Sequence, residues 1–326
     1  MANLLPFTPT TPFDTESKHL LVYKITEKSG QNFIGILCGI GTEDYLRGEI
    51  LKHENLLTHK QNALFHAILE KNELEEPVLL SHPTLPEISD FYKAIETEPP
   101  TKTIERNDKI HQFWVLTKPQ ETQIIELYKK VEKLYIADGH HRCAAMERFF
   151  DLNASHNGIF AYILQQNSLK VFEYNRFLTQ SNLNLEEVLS SLSKNFEVSQ
   201  IHQYNPSPKK GEIQLQHKEK WFLLKPRERF PFLLDTEIVS KMILFEVFDM
   251  DENTFCPDLE YFPGPFDLDK RQKMSHDFQY GIYLAPIPFE VIKEKADQKQ
   301  VLPPKATWVL PKIPTGLICS KLHFGE

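Results

Sequence analysis

Residues 134–150 read Leu-Tyr-Ile-Ala-Asp-Gly-His-His-Arg-Cys-Ala-Ala-Met-Glu-Arg-Phe-Phe. The four apolar residues 134–137 have the length and composition of a buried strand, and residues 142–150 carry apolar side chains at helical spacing. Between these segments, Asp138 is a suitable helix N-cap and Gly139 supplies the backbone freedom of a tight turn. The stretch therefore predicts a strand that leads into a helix through a short polar turn.

The side chains of that turn have the chemistry of an anion site. The start of a helix presents free amide donors and a positive partial charge, and His140, His141 and Arg142 add two imidazoles and a guanidinium. An Asp-Gly turn before a helix is common and needs no function. Two adjacent histidines and an arginine directly after an apolar strand favour a functional site for phosphate or another anion.

A second polar cluster lies at Lys52, His53 and Glu54. It places a cation, a titratable ring and a carboxylate within three residues, which suits phosphate binding and proton abstraction. Taken alone, such a run is more typical of a solvated surface.

Composition limits the class of protein. A chain of 326 residues with 41% hydrophobic and 25% charged residues is typical of a globular protein of two domains, or of one large domain with an elaborated half. The net charge of −8 argues against a nucleic-acid partner. The four cysteines form no Cys-x-x-Cys pair, so no zinc ribbon or dithiol is indicated. No signal peptide or membrane-spanning segment is evident, which predicts a cytoplasmic protein without a membrane partner.

Hydrophobic patterning predicts an α+β fold. Residues 19–26 and 32–40 are typical of a β-hairpin, and residues 120–133 of a helix that precedes the motif strand. A boundary near 180 divides the chain into a domain at 1–180 and a smaller α+β domain at 181–326. Further helices are predicted at about 60–69, 85–95, 185–195, 235–248 and 289–296.

Several strings resemble, in the same order, the bacterial family named "domain of unknown function 1015". They are Ile50-Leu51-Lys52-His53-Glu54, Ile136-Ala137-Asp138-Gly139-His140-His141-Arg142, Tyr174-Asn175-Arg176, and the closing segments 302–308 and 314–317. The resemblance extends from about Gly41 to the C-terminus. The Asp-Gly-His-His-Arg string is also similar to the phosphate-handling motif of the ADP-dependent free serine kinases, which belong to the ParB/sulfiredoxin fold group.

These resemblances imply a ParB/sulfiredoxin-like phosphate-binding half. They further imply ADP or ATP as the nucleotide, Mg²⁺ close to Asp138, and a small hydroxyl substrate such as free serine. Glu54 falls where the serine kinases place a glutamate proposed to act as base, and His140 and His141 are the other catalytic candidates. The implied nucleotide contacts are Lys52, His53, Asp138, Gly139, His140, His141, Arg142 and Arg176.

The chain also departs from the family pattern. Members usually carry Lys-Glu-x-Asp-Arg beyond the glutamate, whereas residues 59–63 here read His-Lys-Gln-Asn-Ala, and an N-terminal Pro-Pro-Tyr-Asp string is absent. The chain is thus identified as a shortened, divergent member. Three functions stay open: a nucleotide-dependent phosphotransferase, a non-catalytic switch that binds a nucleotide or phosphometabolite, and a metal-dependent phosphatase that uses His53, Asp138, His140 and His141.

Overall fold

The computed structural model describes residues 3–54, 58–152, 158–227, 233–252, 254, 256–264, 278–303 and 305–324. Helices and strands are mixed throughout, which confirms the predicted α+β class. The chain forms two compact units: the first comprises Met1–Lys170, Lys293–Val301 and Val309–Glu326, and the second Val171–Ile292 and Leu302–Trp308. The predicted domains 1–180 and 181–326 are continuous, unlike these units, and the boundary near 180 stays a prediction.

The elements of the first half of the chain follow in order. The strands are β1 (Leu4–Leu5), β2 (Phe7–Pro9), β3 (Leu21–Glu27), β4 (Asn32–Gly41), β5 (Ile50–Leu51), β6 (Glu73–Leu74), β7 (Val78–His82), β8 (Lys102–Arg106), β9 (Lys109–Val115), β10 (Leu134–Asp138) and β11 (Gly158–Gln165). The helices are α1 (Thr42–Leu46), α2 (Thr58–Lys71), α3 (Pro86–Glu96), α4 (Lys118–Tyr128) and α5 (His140–Leu152).

The second half of the chain is richer in short strands. They are β12 (Lys170–Phe172), β13 (Tyr174–Leu178), β14 (Phe196–Ile201), β15 (Ile213–His217), β16 (Lys220–Pro226), β17 (Leu259–Pro263), β18 (Tyr280–Tyr283), β19 (Trp308–Leu310) and β20 (Ser320–Phe324). The helices are α6 (Leu185–Leu192), α7 (Asp235–Ile238) and α8 (Phe289–Asp297), with a 3₁₀ turn at Gln166–Ser168 and a π-helical segment at Val239–Phe245.

The first unit is built on a nine-stranded sheet with the order β5-β10-β7-β11-β4-β3-β9-β8, and β1 pairs with β4. The predicted hairpin is confirmed, because β3 and β4 pair antiparallel from Leu21 opposite Leu37 to Thr26 opposite Asn32. Every residue of β7 and β11 is buried, as expected for apolar strands covered on both faces. A smaller three-stranded sheet, β2-β20-β6, completes this unit.

The motif strand β10 occupies a particular place in that sheet. It pairs parallel with β5, with Leu134 opposite Ile50 and Tyr135 opposite Leu51, and antiparallel with β7 on its other side. The carboxyl ends of parallel neighbours meet at the same edge of a sheet. The two polar clusters of the sequence follow β5 and β10 directly, so they lie side by side.

Local signals account for the helices around the motif. Helix α4 starts with a capping box, in which the backbone N–H of Thr117 donates to Gln120 Oε1 over 2.9 Å. Helix α5 packs on α2, where the rings of Phe149 and Phe65 are 4.6 Å apart. This contact holds the motif helix against the elements that follow β5.

The second unit contains a six-stranded sheet with the order β14-β16-β15-β18-β13-β17. Apolar side chains of α6, α7 and the π-helical segment form its core with the sheet, including Val188, Ile238 and Ile243. The helix predicted at 235–248 is α-helical only over Asp235–Ile238 and continues as a π-helix to Phe245. Amphipathic spacing alone does not distinguish these two hydrogen-bond patterns.

In the part of the chain that the structure describes, no helix combines the length and the apolar composition needed to cross a bilayer.

Candidate functional site

The turn after β10 is shaped by a β-bulge and a glycine. The register of β10 against β7 shifts between Ile136 and Asp138, which interrupts the regular ladder just before the turn. Gly139 follows with a φ of +99°, and a Cβ there would lie 2.9 Å from Arg142 Nε. Only glycine combines this backbone conformation with so close an approach of a side chain.

Helix α5 begins at His140, so Gly139 precedes the helix. The carbonyl of Gly139 accepts the first hydrogen bonds, from the backbone N–H groups of Arg142 at 2.9 Å and Cys143 at 3.1 Å. The expectation that Asp138 is the N-cap is thus wrong by one residue. The Asp138 carboxylate interacts with cations instead.

Asp138 and Arg142 belong to a network of charges. Arg142 Nη2 donates to Asp138 Oδ2 over 2.9 Å, and Arg142 Nη1 lies 2.7 Å from Glu76 Oε1 and donates to the carbonyl of Pro77 over 2.5 Å. Lys312 Nζ donates to the other Asp138 oxygen over 2.7 Å. The guanidinium therefore already has three acceptors, and both oxygens of Asp138 have a cation.

His53 and His140 form a buried pair beside this network. Their side chains are almost fully enclosed, and their rings meet edge to face with centroids 4.5 Å apart. The backbone N–H of His53 donates to His140 Nε2 over 3.4 Å. Because a backbone N–H only donates, this contact requires a lone pair on Nε2 and places the proton of the neutral ring on Nδ1.

That protonated nitrogen faces Glu54. His140 Nδ1 lies 3.4 Å from Glu54 Oε2, and the Glu54 side chain is 39% exposed. A buried neutral imidazole thus presents an N–H to a carboxylate that is still open to solvent. This arrangement orients the carboxylate.

Burial controls the protonation of both histidines. It lowers the pKa of His53 to about 4, partly offset by the negative charge of Asp138. Burial also lowers the pKa of His140 well below its ordinary value, with further contributions from His53, His141, Lys52 and Arg142. Both rings are therefore neutral at physiological pH.

Comparison with protein families gives one match. The model of the family described as "Protein of unknown function (DUF1015)" covers residues 12–250. This chain belongs to the DUF1015 family. The match confirms the resemblance and includes the strings at 50–54, 136–142 and 174–176, but it ends before the closing segments at 302–317.

Solved structures similar to this DUF1015 protein include a mutant free serine kinase in complex with ADP, with 17% identity, a TM-score of 0.47, and coverage of 86% of this chain and 92% of that chain. Free serine kinase in complex with AMP has 18% identity, a TM-score of 0.47 and the same two coverages. A conserved hypothetical protein from Pyrococcus furiosus has 17% identity, a TM-score of 0.46, and coverage of 88% and 95%. No curated protein matches the sequence.

In the DUF1015 chain, the first unit brings together nearly all of the candidate residues. Lys52 is exposed next to the histidine pair, and His141 is half-buried at the start of α5. The side chain of Lys60, in the segment that departs from the family pattern, lies outside the described residues.

Arg176 is placed differently. It lies on β13 in the second unit, has no exposed surface, and its Nε donates to Glu252 Oε1 over 3.1 Å. Its Nη1 donates to the carbonyl of Tyr174 over 2.6 Å. In this arrangement Arg176 holds together the core of its own unit, and its role as a phosphate contact stays a prediction.

Two residues of the site were missed by the sequence analysis. Glu76 directly precedes Pro77, and Lys312 lies between two prolines near the C-terminus, so neither belongs to a recognisable motif. Their positions become significant only through contacts with Arg142 and Asp138, from which they are distant in sequence.

Metal binding was expected at Asp138. Among the described residues of the DUF1015 protein, no group of three or more His, Cys, Asp and Glu side chains is arranged to hold a metal ion. Asp138 itself is neutralised by Arg142 and Lys312.

Proposed function

We propose that this protein is a nucleotide-dependent phosphotransferase that acts on a small hydroxyl metabolite, such as free serine. The observation that carries the proposal is the position of Glu54, whose carboxylate is 3.4 Å from His140 Nδ1, directly beside the start of α5. A half-exposed base next to the amide donors of a helix start is the combination that hydroxyl activation and phosphate binding require.

In the proposed reaction, Glu54 takes the proton of the substrate hydroxyl while its oxygen attacks the terminal phosphorus of ADP or ATP. A new P–O bond forms as the bond to the bridging oxygen breaks, and AMP or ADP leaves with that electron pair. Little covalent chemistry is needed from the protein, because positioning and neutralisation of charge supply most of the catalysis.

Each neighbour has a defined part in this reaction. His140 orients Glu54 through its Nδ1–H. The backbone N–H of His53 donates to Nε2 of the same ring and holds it in place. Lys52, exposed beside them, is the ammonium available to phosphate oxygens. Gly139 and Arg142 set the shape of the turn that presents the helix start.

Mg²⁺ at Asp138 does not fit the described arrangement. Mg²⁺ binds through carboxylate oxygens together with substrate phosphates. Both oxygens of Asp138 are already held by cations, Arg142 at 2.9 Å and Lys312 at 2.7 Å. The proposed roles of the side chains therefore involve no metal bound at Asp138.

Phosphorus NMR of the purified protein tests the proposal. With Mg²⁺ in the buffer, ADP or ATP is supplied with serine, and in a separate sample phosphoserine is supplied with AMP. We expect a new phosphoester or a regenerated nucleotide, lost in Glu54→Gln and kept in the control Glu105→Gln, which changes an exposed carboxylate on β8. Equal turnover by Glu54→Gln and wild type would show that Glu54 is not the base.

A binding switch is the second candidate function, and the Arg142 network favours it. A phosphate that binds the guanidinium would compete with Asp138, Glu76 and the Pro77 carbonyl for its N–H groups. Glu76 also accepts a hydrogen bond from Thr315 Oγ1 over 3.1 Å, so its release would remove one contact of the segment near the C-terminus. A nucleotide that raises the melting temperature without any turnover would support the switch and contradict the phosphotransferase.

A further inference from the structure

We propose that the cleft between α2 and α5 binds the base of the nucleotide, and that this base is a purine with an exocyclic amine. The inference rests on the proposed function, from which it takes the nucleotide, and it adds where the base lies and which base fits. A cavity of about 100 Å³ occupies the cleft, beside the ends of β6, β7 and β11 in the first unit.

The walls of the cleft are mainly apolar. Met146, Ile159 and Phe160 form a buried floor, while Leu64 and Ala67 of α2 contribute a side that is open to solvent. An apolar cavity of about 150 Å³ accommodates a whole benzene ring. This cleft is smaller but open, which suits a planar ring that rests on the apolar wall with one edge at the rim.

The rim of the cleft carries two cations and three carboxylates. Two ion pairs account for most of these charges. Lys71 Nζ lies 2.7 Å from Glu75 Oε2, and Arg142 Nη1 lies 2.7 Å from Glu76 Oε1. The remaining carboxylate, Glu73, leaves the rim with one net negative charge.

Glu73 is half-buried and accepts a hydrogen bond from the hydroxyl of Thr10, and no cation pairs with it in the described part of the chain. Asp138, which also binds Arg142, is balanced by Lys312 and does not change this sum. A carboxylate accepts several hydrogen bonds, so Glu73 can receive a further donor. The negative rim repels phosphate and attracts the amine of a base such as adenine.

The cleft and Glu54 lie on opposite sides of β10 at one edge of the sheet. Glu54 follows β5, Val78 begins β7, and β10 lies between these strands, so the separation is two strand spacings, roughly 10 Å. A nucleoside diphosphate can span this distance, because the ribose and two phosphates separate its base from the terminal phosphorus. Arg142 connects the two places, since its guanidinium covers Gly139 and also lines the cleft.

ADP and the diphosphate of purine riboside are matched probes, because they differ only in the exocyclic amine. Calorimetric titration of the full chain measures their affinities. We expect ADP to bind about tenfold more tightly, as one added hydrogen bond to a carboxylate implies. Equal affinities would overturn the proposal, because the amine would then make no contact.

A variant of α2 locates the base. Ala67→Leu adds bulk within the cleft without lowering helix propensity much, and it should weaken ADP binding about tenfold. Ala63→Leu makes the same change at an exposed position of α2 outside the lining, so it should stay within about twofold of wild type. Unchanged ADP affinity in Ala67→Leu would overturn the proposal, and so would a wild-type protein that does not bind ADP.

Turnover separates this inference from the proposed function. ADP binding that depends on the amine and on Ala67, without any turnover, would support the base site and contradict the phosphotransferase. Turnover that is lost in Glu54→Gln, with equal binding of ADP and its amine-free analogue, would support the phosphotransferase and overturn the base site.

Discussion

Arg142 and Arg176 each end a string that resembles the family pattern, yet they lie in contrasting surroundings. Arg142 is 17% exposed and divides its donors among Asp138, Glu76 and a carbonyl at the surface of the first unit. Arg176 and its partner Glu252 are 0% and 2% exposed within the second unit. The first arginine can exchange partners with solvent or ligand, whereas the second is enclosed with a single carboxylate.

The difference shows why an arginine in a family motif need not contact a ligand. Moving a charge out of water is costly, and a buried pair persists only when both members stay together. Glu252 also accepts hydrogen bonds from Tyr261 at 2.9 Å and from Ser240, so the pair is part of a larger polar network. This network is closed to solvent, whereas the network around Arg142 is partly exposed and suits a site.

The largest effect is expected from Arg176→Ala, which would leave Glu252 charged and buried without its cation. We predict a loss of about 3–5 kcal/mol in the free energy of unfolding. Chemical denaturation measures it. As a matched control, Arg227→Ala, which removes an exposed arginine bonded to the Ser193 carbonyl, should cost far less. Equal losses of unfolding free energy in both variants would show that breaking the buried pair costs no more than removing an exposed contact.

Acidification should affect the histidine-rich first unit next most strongly. The pKa of His53 is about 4 in the folded protein and near 6.5 in the unfolded chain, so the unfolded state binds more protons between these values. Stability is therefore complete above pH 6.5 and falls as the pH decreases toward 4, by about 3 kcal/mol for His53 alone.

Unfolding free energies across this pH range, compared between wild type and His53→Gln, test that prediction. The variant should show a shallower dependence on pH, whatever its absolute stability, because one protonation site of the unfolded state is gone. An unchanged slope would mean that His53 is not neutral and buried in the folded protein.

A smaller effect is expected from Arg142→Ala. Its carboxylate partners lie near solvent and can be hydrated after the change, so we predict a loss of about 1–3 kcal/mol together with weaker nucleotide binding. Thermal unfolding with and without ADP measures both. Arg148→Ala on the same helix, whose guanidinium donates to Asn62 Oδ1, is the control and should keep the shift caused by ADP. If ADP raised the melting temperature of Arg142→Ala as much as that of wild type, this arginine would not belong to the nucleotide site.

The smallest effect is expected from Lys312→Met. Its ion pair with Asp138 is about one-third exposed on both sides, and such pairs contribute about 0.2–1 kcal/mol. The loss should shrink as salt is added, because exposed charges are screened. Lys24→Met, which breaks the similarly exposed pair with Glu96, is the matched comparison. If Lys312→Met lost several times more stability than Lys24→Met, the pair of Lys312 with Asp138 would contribute as much as the pair of Arg142 with Asp138.

Much of the site was predictable because its signals are local. The apolar run 134–137 and the helical spacing after it predict β10 and α5 within two residues. Gly139 was expected in the turn, and its positive φ confirms the reason. The clusters at 52–54 and 138–142 could be recognised, but their contact depends on the parallel pairing of β5 with β10, which spacing does not encode.

The sequence by itself determined the α+β class, the strand-turn-helix motif and the family, because periodicity, turn residues and short strings are properties of neighbouring residues. The tertiary structure alone decided that Lys312 reaches Asp138 across 174 positions, that Arg176 is enclosed with Glu252, and that His53 and His140 form a buried pair. Burial and ion pairing depend on which distant segments pack together, and that packing sets both the pKa of a histidine and the freedom of an arginine to bind a ligand.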